Sequence, residues 1–300
     1  MTEVQSNASV GRPLPVPTPE ELPPLLARNP LAIVDEALTF LRINPALFFG
    51  LSAVVALPLQ LIVLALPGSS LRGNRPDRVA DIIISSVDQP SAVGNALGTL
   101  IFESLALFTV ATIYGQVVSL WYAGRSMTAS DLLVASIKRI PAILGAWTLA
   151  HIVIVGLGLV SLGLLGVVAG VYLMLAAPVM GAEGLGVRDA LKRSRSLTNS
   201  YFFHCLIMYV MVAVGGQLMD ISLRIAPTFL LGQLNLPVWV ISGATDVVAS
   251  IVVLSFTAAT SVVLYLDLRV RREGLDLYMA VHKNFRGAEA SRSAGRGRRG

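Results

Sequence analysis

The sequence predicts an all-α polytopic membrane protein: six transmembrane helices arranged as three hairpins, each hairpin preceded by an amphipathic interfacial helix. Three observations carry this prediction. Apolar residues make up 54% of the 300-residue chain and charged residues only 14%, with a mean hydropathy of +0.71. A water-soluble domain carries roughly 25% charged residues, so this chain has too few to cover a wet surface. Six segments are long and apolar enough to cross a bilayer, which takes about 20 residues. Finally, nineteen of the 23 Lys and Arg residues fall on one side of those six segments.

Taken in order, residues 1–29 are polar and proline-rich, with Pro13, Pro15, Pro17, Pro19, Pro23 and Pro24. Such a composition buries no core and reads as a disordered, partly polyproline-II cytoplasmic tail, without the features of a cleavable signal peptide. The membrane domain follows over 30–282. Its spans are placed at about 46–67, 96–120, 141–160, 163–182, 202–223 and 241–266. Between Arg139 and Glu183 there is no Asp, Glu, Lys or Arg. As a single helix the 141–182 stretch would extend about 60 Å, twice the hydrocarbon core, so it must fold back. Gly156, Gly158, Ser161 and Gly163 mark the turn. The loop 68–95 is polar, with a short element expected over 79–87, and residues 283–300 form a disordered basic tail.

Three stretches have a common plan. LAIVDEALTFLRINPALFF holds Asp35, TASDLLVASIKRIPAILG holds Asp131, and LGVRDALKRSRSLTNSYFF holds Asp189. Each Asp is expected near a helix start, where it suits the positive end of the helix dipole. Basic residues follow six or seven positions later at the negative end. Pro45, Pro141 and Asn199, ten residues after each Asp, are expected to end the helix before a span begins. In the third copy Val187, Ala190, Leu191 and Leu197 share one face, opposite Arg188, Lys192, Arg195 and Asn199. That is the pattern of a helix lying in the interface. By the positive-inside rule both termini are cytoplasmic.

Two stretches carry a family resemblance: EGLGVRDALKRSRSLT, Glu183 to Thr198, and YLDLRVRREGLDL, Tyr265 to Leu277. Together they resemble a family of actinobacterial integral membrane proteins related to the membrane domain of glycerophosphoryl diester phosphodiesterase. The resemblance covers about 30–280. It implies a multi-helix module in a bacterial plasma membrane. No soluble region is long enough for the phosphodiesterase barrel, so the resemblance does not bring the enzyme activity with it.

Ionisable residues inside spans are costly and mark functional candidates. Glu103 lies within the second span, His151 near the middle of the third, and Asp246 one to two turns into the sixth. Gln60, Gln116 and Gln217 are further polar positions. Facing one another, these groups would line a proton or solute path. The plainer role is interhelical hydrogen bonding, which is common in membrane bundles. Asp220 and Arg224 are spaced for an i,i+4 pair. A cluster of Arg188, Lys192, Arg193 and Arg195 with Arg269, Arg271, Arg272 and Glu273 reads as a salt-bridge lattice, as a site for anionic headgroups, or as both. Gly94–Gly98 and Gly166–Gly170 have the spacing of close helix contacts.

Other chemistries are excluded by what the chain lacks. It has no GxxxxGK[ST], HExxH, CxxC or GxSxG pattern, and a single cysteine, Cys205. A lone His without a partner at ligand spacing is no metal site, so neither metal nor cofactor is expected. The expected partners are membrane lipids with anionic headgroups and proteins of the cell envelope, not nucleic acid, for which stacking aromatics are missing from the basic tail. The sequence reading is a non-enzymatic accessory or scaffold protein of the envelope. The alternatives are a permease-like protein, which needs a polar cavity holding Glu103, His151 or Asp246, and a lipid-processing enzyme, disfavoured by the missing motifs.

Overall fold

The computed structural model describes residues 17, 21–65, 90–125, 127–231 and 238–275. The expected loop element over 79–87, the 283–300 tail and most of the proline-rich tail lie outside them. The helices are α1 Pro30–Ile43, α2 Pro45–Ala65, α3 Pro90–Tyr122, α4 Ala129–Val160, α5 Leu164–Leu173, α6 Ala176–Glu183, α7 Val187–Asn199, α8 Phe202–Leu231 and α9 Val238–Glu273. Among the described residues, six stretches are long and apolar enough to span a membrane, with α5 and α6 together forming one. The protein is an all-α multi-pass membrane protein.

Helix α9 is the central post. Its main neighbours are α1, α2, α3 and α8, while α4 pairs chiefly with α5. α1 starts with Asn29, whose side chain accepts from the Ala32 amide at 2.8 Å, and with Pro30 in the first turn. It buries Ile33, Ala37, Phe40 and Leu41 at helical spacing. Asn44 then breaks the chain and caps α2 through Leu47 at 3.1 Å.

Helices α3 and α6 cross with their backbones in contact. A methyl group added at Gly181 would lie 1.8 Å from the Thr112 carbonyl oxygen, and one at Gly115 would lie 2.6 Å from that of Pro178. Two glycines on opposite helices permit this approach. In the core, the Tyr114 hydroxyl donates to the Phe48 carbonyl at 2.7 Å and lies 2.8 Å from Ser52, which accepts from Ser255 at 2.8 Å. This polar chain joins α2, α3 and α9.

Several expectations change. The second amphipathic segment runs through Pro141 into its span as one helix, α4, whereas the first and third break at Asn44 and at Ser200–Tyr201. Proline 141 removes one hydrogen bond but has not ended the helix. Asp35 is the sixth residue of α1, outside its first turn, whereas Asp131 and Asp189 occupy first turns. The 161–163 turn lies where expected, with Gly163 at φ 96°. Gly158 sits within α4, where its backbone meets Gly166 of α5. The fourth span breaks four residues before Pro178, between Leu173 and Ala176, because the proline lacks the N–H that would bond the Met174 carbonyl and crowds it. Residues 22–29, read as tail, pack on the bundle: Pro23 is buried and its carbonyl accepts from Tyr122 at 2.8 Å.

Candidate functional site

Two clusters of charge lie at opposite levels of the bundle. One sits at the face carrying α1 and α7. Glu183 ends α6 and accepts from Arg193 of α7 through Nε and Nη2 at 3.0–3.1 Å. It also accepts from the Tyr265 hydroxyl at 3.0 Å. Arg193 reaches Glu273 of α9 with its other side, and Glu273 accepts from Arg269 at 3.0 Å. Burial works to lower the pKa of Arg193, but the Glu183 and Glu273 carboxylates outweigh it and hold the guanidinium above its ordinary value.

Beside this knot, fully buried Asp267 accepts from Arg271 and from the Arg28 amide, both at 2.7 Å, with His204 at 3.3 Å. Arg28 pairs with Glu36 at 3.1 Å. Burial raises the Glu36 carboxyl above its usual range, Arg28 offsets part of this, and Asp35 adds to it. α7 is pinned from below as well. Its Ser194 and Thr198 hydroxyls donate to the Tyr172 carbonyl at 2.7 and 3.3 Å. That carbonyl lies in the last turn of α5, where no further helical amide follows to claim it.

Of the cluster expected from sequence, Arg193, Arg269 and Glu273 thus come together with Glu183, and Arg271 joins Asp267. Arg188, Lys192 and Arg272 are exposed outside these contacts. Arg195 is exposed too and lies over the Tyr172 ring at 6.0 Å.

The second cluster lies deeper in the chain's apolar part. A cavity of about 500 Å³ opens between α3, α8 and α9, with the α4–α5 hairpin across its front and α2 at its side. Glu103 and His151 both line it, as do Gln60, Gln217, Asp220 and Arg224. Arg224 donates to Asp220 at 2.8 Å and pairs with Asp246, so its guanidinium ties α8 to α9. Asp246 is buried behind this pair and does not line the cavity itself. Gln60 donates to Ser250 at 2.9 Å. His151 lies 2.9 Å from the Trp147 carbonyl through Nδ1 and packs on the Trp147 ring at 4.5 Å.

The cavity is polar at one end and apolar at the other. At 1.5 Å per residue, Glu103 lies roughly 28 Å along α3 from Tyr122, and Asp220 roughly 27 Å along α8 from Phe202. Both sit near the boundary of an approximately 30 Å hydrocarbon layer that starts at the α1–α7 face. The cavity runs from there back toward that face, past Ala111, Met174, Ala177 and Leu264. The hydroxyls along this stretch turn inward on their own helix: Thr260 donates to Phe256 at 2.8 Å and Ser261 to Ala258 at 2.7 Å. From Tyr209 to Arg224 the slot extends roughly 22 Å. It is an amphipathic slot aligned with the helices.

Sequence reasoning named Glu103, His151 and Asp246, and it paired Asp220 with Arg224. It missed that Arg224 joins Asp246 and that Tyr209, Gly216 and Thr257 form the slot's walls. One signal was available. Counted from the basic face, Glu103 is nineteen residues into its helix and Asp220 eighteen, which puts both at one depth.

The fold and the site define a multi-pass α-helical membrane protein with an internal amphipathic slot. Comparison with protein-family models, curated proteins and solved structures gave no match.

Proposed function

We propose that this is a non-enzymatic bacterial plasma-membrane protein, both termini cytoplasmic, that takes an amphipathic solute into its intramembrane slot. Of the sequence's alternatives this is the permease-like one, and it stands ahead of the scaffold reading. Kinship with the membrane-domain family of glycerophosphoryl diester phosphodiesterase is part of the proposal.

The observation that carries it is the 500 Å³ slot with Glu103 and the Asp220–Arg224 pair at one end and apolar walls below. Ligand sites are concave, mostly apolar, and fixed by a few polar groups, typically within about 300–1,000 Å³. A scaffold needs no such chamber. The clusters at the α1–α7 face support the assigned orientation, since exposed Arg188, Lys192 and Arg195 suit the anionic cytoplasmic leaflet.

The test is native mass spectrometry of protein purified in mild detergent, comparing wild type with Gly216→Trp. Gly216 lines the slot, and a Cβ there meets only ordinary contacts at 3.7 Å with Thr257 and Val253. The expected result is a bound small molecule of defined mass that disappears in the variant. Equal adducts in both, or none in either, would remove the reading.

A further inference from the structure

We infer that the slot's ligand is a bilayer lipid and that it enters sideways, through the α4–α5 hairpin acting as a hinged wall. This rests on the slot being a ligand site, and it adds both the ligand class and the route.

The ligand class follows from depth. In a bilayer a lipid's headgroup lies at the hydrocarbon boundary and its chain runs along the normal. The slot has the same layout, with its polar end at roughly 28 Å from the α1–α7 face by helical rise and its apolar length below. Its long axis follows α8 and α9. A water-soluble solute would need polar groups along the whole route, yet the lower part is lined mainly by Ala111, Leu173, Met174, Ala177 and Leu264, with Tyr209 as the polar exception and the Thr260 and Ser261 hydroxyls turned onto their own helix.

The route follows from how the hairpin is attached. At its base, both strands are anchored. α6 is locked to α3 by the Gly181–Thr112 and Gly115–Pro178 backbone contacts. The first turns of α4 bury Leu132 and Ser136, and Arg139 donates to the Met180 carbonyl at 3.2 Å. Just beyond these anchors each strand has a weak point. In α4 it is Pro141; between α5 and α6 it is the break at Met174–Leu175. Prolines and interrupted helices are where membrane helices bend.

Past these points the two strands move as a unit, because Gly158 and Gly166 bring their backbones together. The 161–163 turn is closed by its own groups: Gly163 N–H donates to Gly158 O at 2.7 Å, and Leu165 N–H to the Ser161 hydroxyl at 2.8 Å. Its tip shows only apolar bulk outward, Leu159, Val160, Leu162 and Leu164 all being more than 70% exposed. Backbone in lipid must be satisfied internally, and this turn meets that need at the level where a lipid would pass. The wall's inner face buries Ile143, Ala146, Ala150, Ala169 and Val171, an apolar seam that can slide, and its polar ties across are few. Trp147 donates to Ser104 of α3 at 3.2 Å, and Gly170 abuts the Tyr209 hydroxyl of α8.

The test uses the full chain in nanodiscs and a phospholipid with a diazirine in its acyl chain. Ser104→Cys with Trp147→Cys is bridged by a short bis-maleimide; the same pair capped by a monofunctional maleimide controls for the lost tryptophan. Buried Cys205 remains in place. After illumination, peptide mapping reads labels on Leu173–Met174 and Tyr209–Val212. The expected result is labelling in the capped protein, at least tenfold less when the bridge precedes lipid, and retained labelling when the bridge follows it. Equal labelling in either order overturns the hinged wall but leaves a lipid in the slot. Labelling confined to outward-facing residues, with a non-lipid adduct still lost in Gly216→Trp, overturns the lipid and leaves the ligand site. No adduct and no slot label overturns both.

Discussion

Arg193 and Arg224 are built alike and placed differently. Each is one guanidinium between two carboxylates that belong to different helices: Glu183 and Glu273 for the first, Asp220 and Asp246 for the second. Around Arg193, Tyr265 and Arg269 join the same knot through Glu183, and the knot is part-exposed at the end of the bundle. Around Arg224 lies the wall of a 500 Å³ cavity. The same fork-shaped cation thus fastens helices in one place and lines a cavity in the other. What separates the roles is packing around the pair, not its chemistry. Buried ion pairs are weak evidence for stability in any case, since desolvation offsets much of the attraction.

The comparison can be broken in four ways, taken from the largest expected effect downward. Gly181→Ala drives a methyl group into the Thr112 carbonyl, 1.8 Å away. Overpacking typically costs about 1–3 kcal/mol and occasionally more, and a clash with rigid backbone belongs at the upper end. The α1–α7 half should fail to fold, read as lost monodisperse protein in size-exclusion chromatography. Second, Arg193→Lys keeps the charge but loses the fork that grips Glu183. The melting midpoint in detergent should fall by about 3–6 °C for a loss of about 1–2 kcal/mol, with ligand occupancy unchanged. Gly216→Trp should do the reverse, emptying the slot with little change in melting. If the two variants affected both readouts equally, the division of roles would be wrong.

Third, Ser194→Ala with Thr198→Val frees the Tyr172 carbonyl at the α5–α6 break. A loss of about 1–2 kcal/mol is expected, visible as faster proteolysis near residues 184–200. The smallest effect concerns Glu36. Its folded pKa is raised, so the folded state binds the proton more tightly. Stability should therefore rise as pH falls through the raised value and level off below the ordinary value of about 4.3. Melting curves of Glu36→Gln should lack that slope. A wild type that gains no stability relative to Glu36→Gln across that window would contradict the assigned direction.

The sequence made the six spans legible because bilayer thickness sets one length for all of them. The basic face was legible for a related reason: uncompensated arginines have few other places to go. Even the knot was foreshadowed, since Glu183, Arg193 and Glu273 cluster at span ends. The slot was not. Glu103, His151 and Asp246 could be named as polar intruders, but that the first two share a cavity depends on which helix faces which, and apolar all-round helices carry little rotational signal. Asp246 illustrates the limit: it is tied to the slot's end through Arg224, a contact 22 residues away across two helices. Pro141 and Pro178 show a second limit. Both are proline in a span; one is passed by a continuous helix and the other is preceded by a break four residues earlier. Local sequence marks the weak point, and surrounding packing decides what becomes of it.

The most direct measurement is an electron cryomicroscopy reconstruction in lipid nanodiscs at a resolution that separates side chains. The account predicts continuous, elongated density between α3, α5, α8 and α9, with its bulkier end beside Glu103 and Arg224. Collapsed walls, with Tyr209 and Met174 filling the space and no such density, would contradict it.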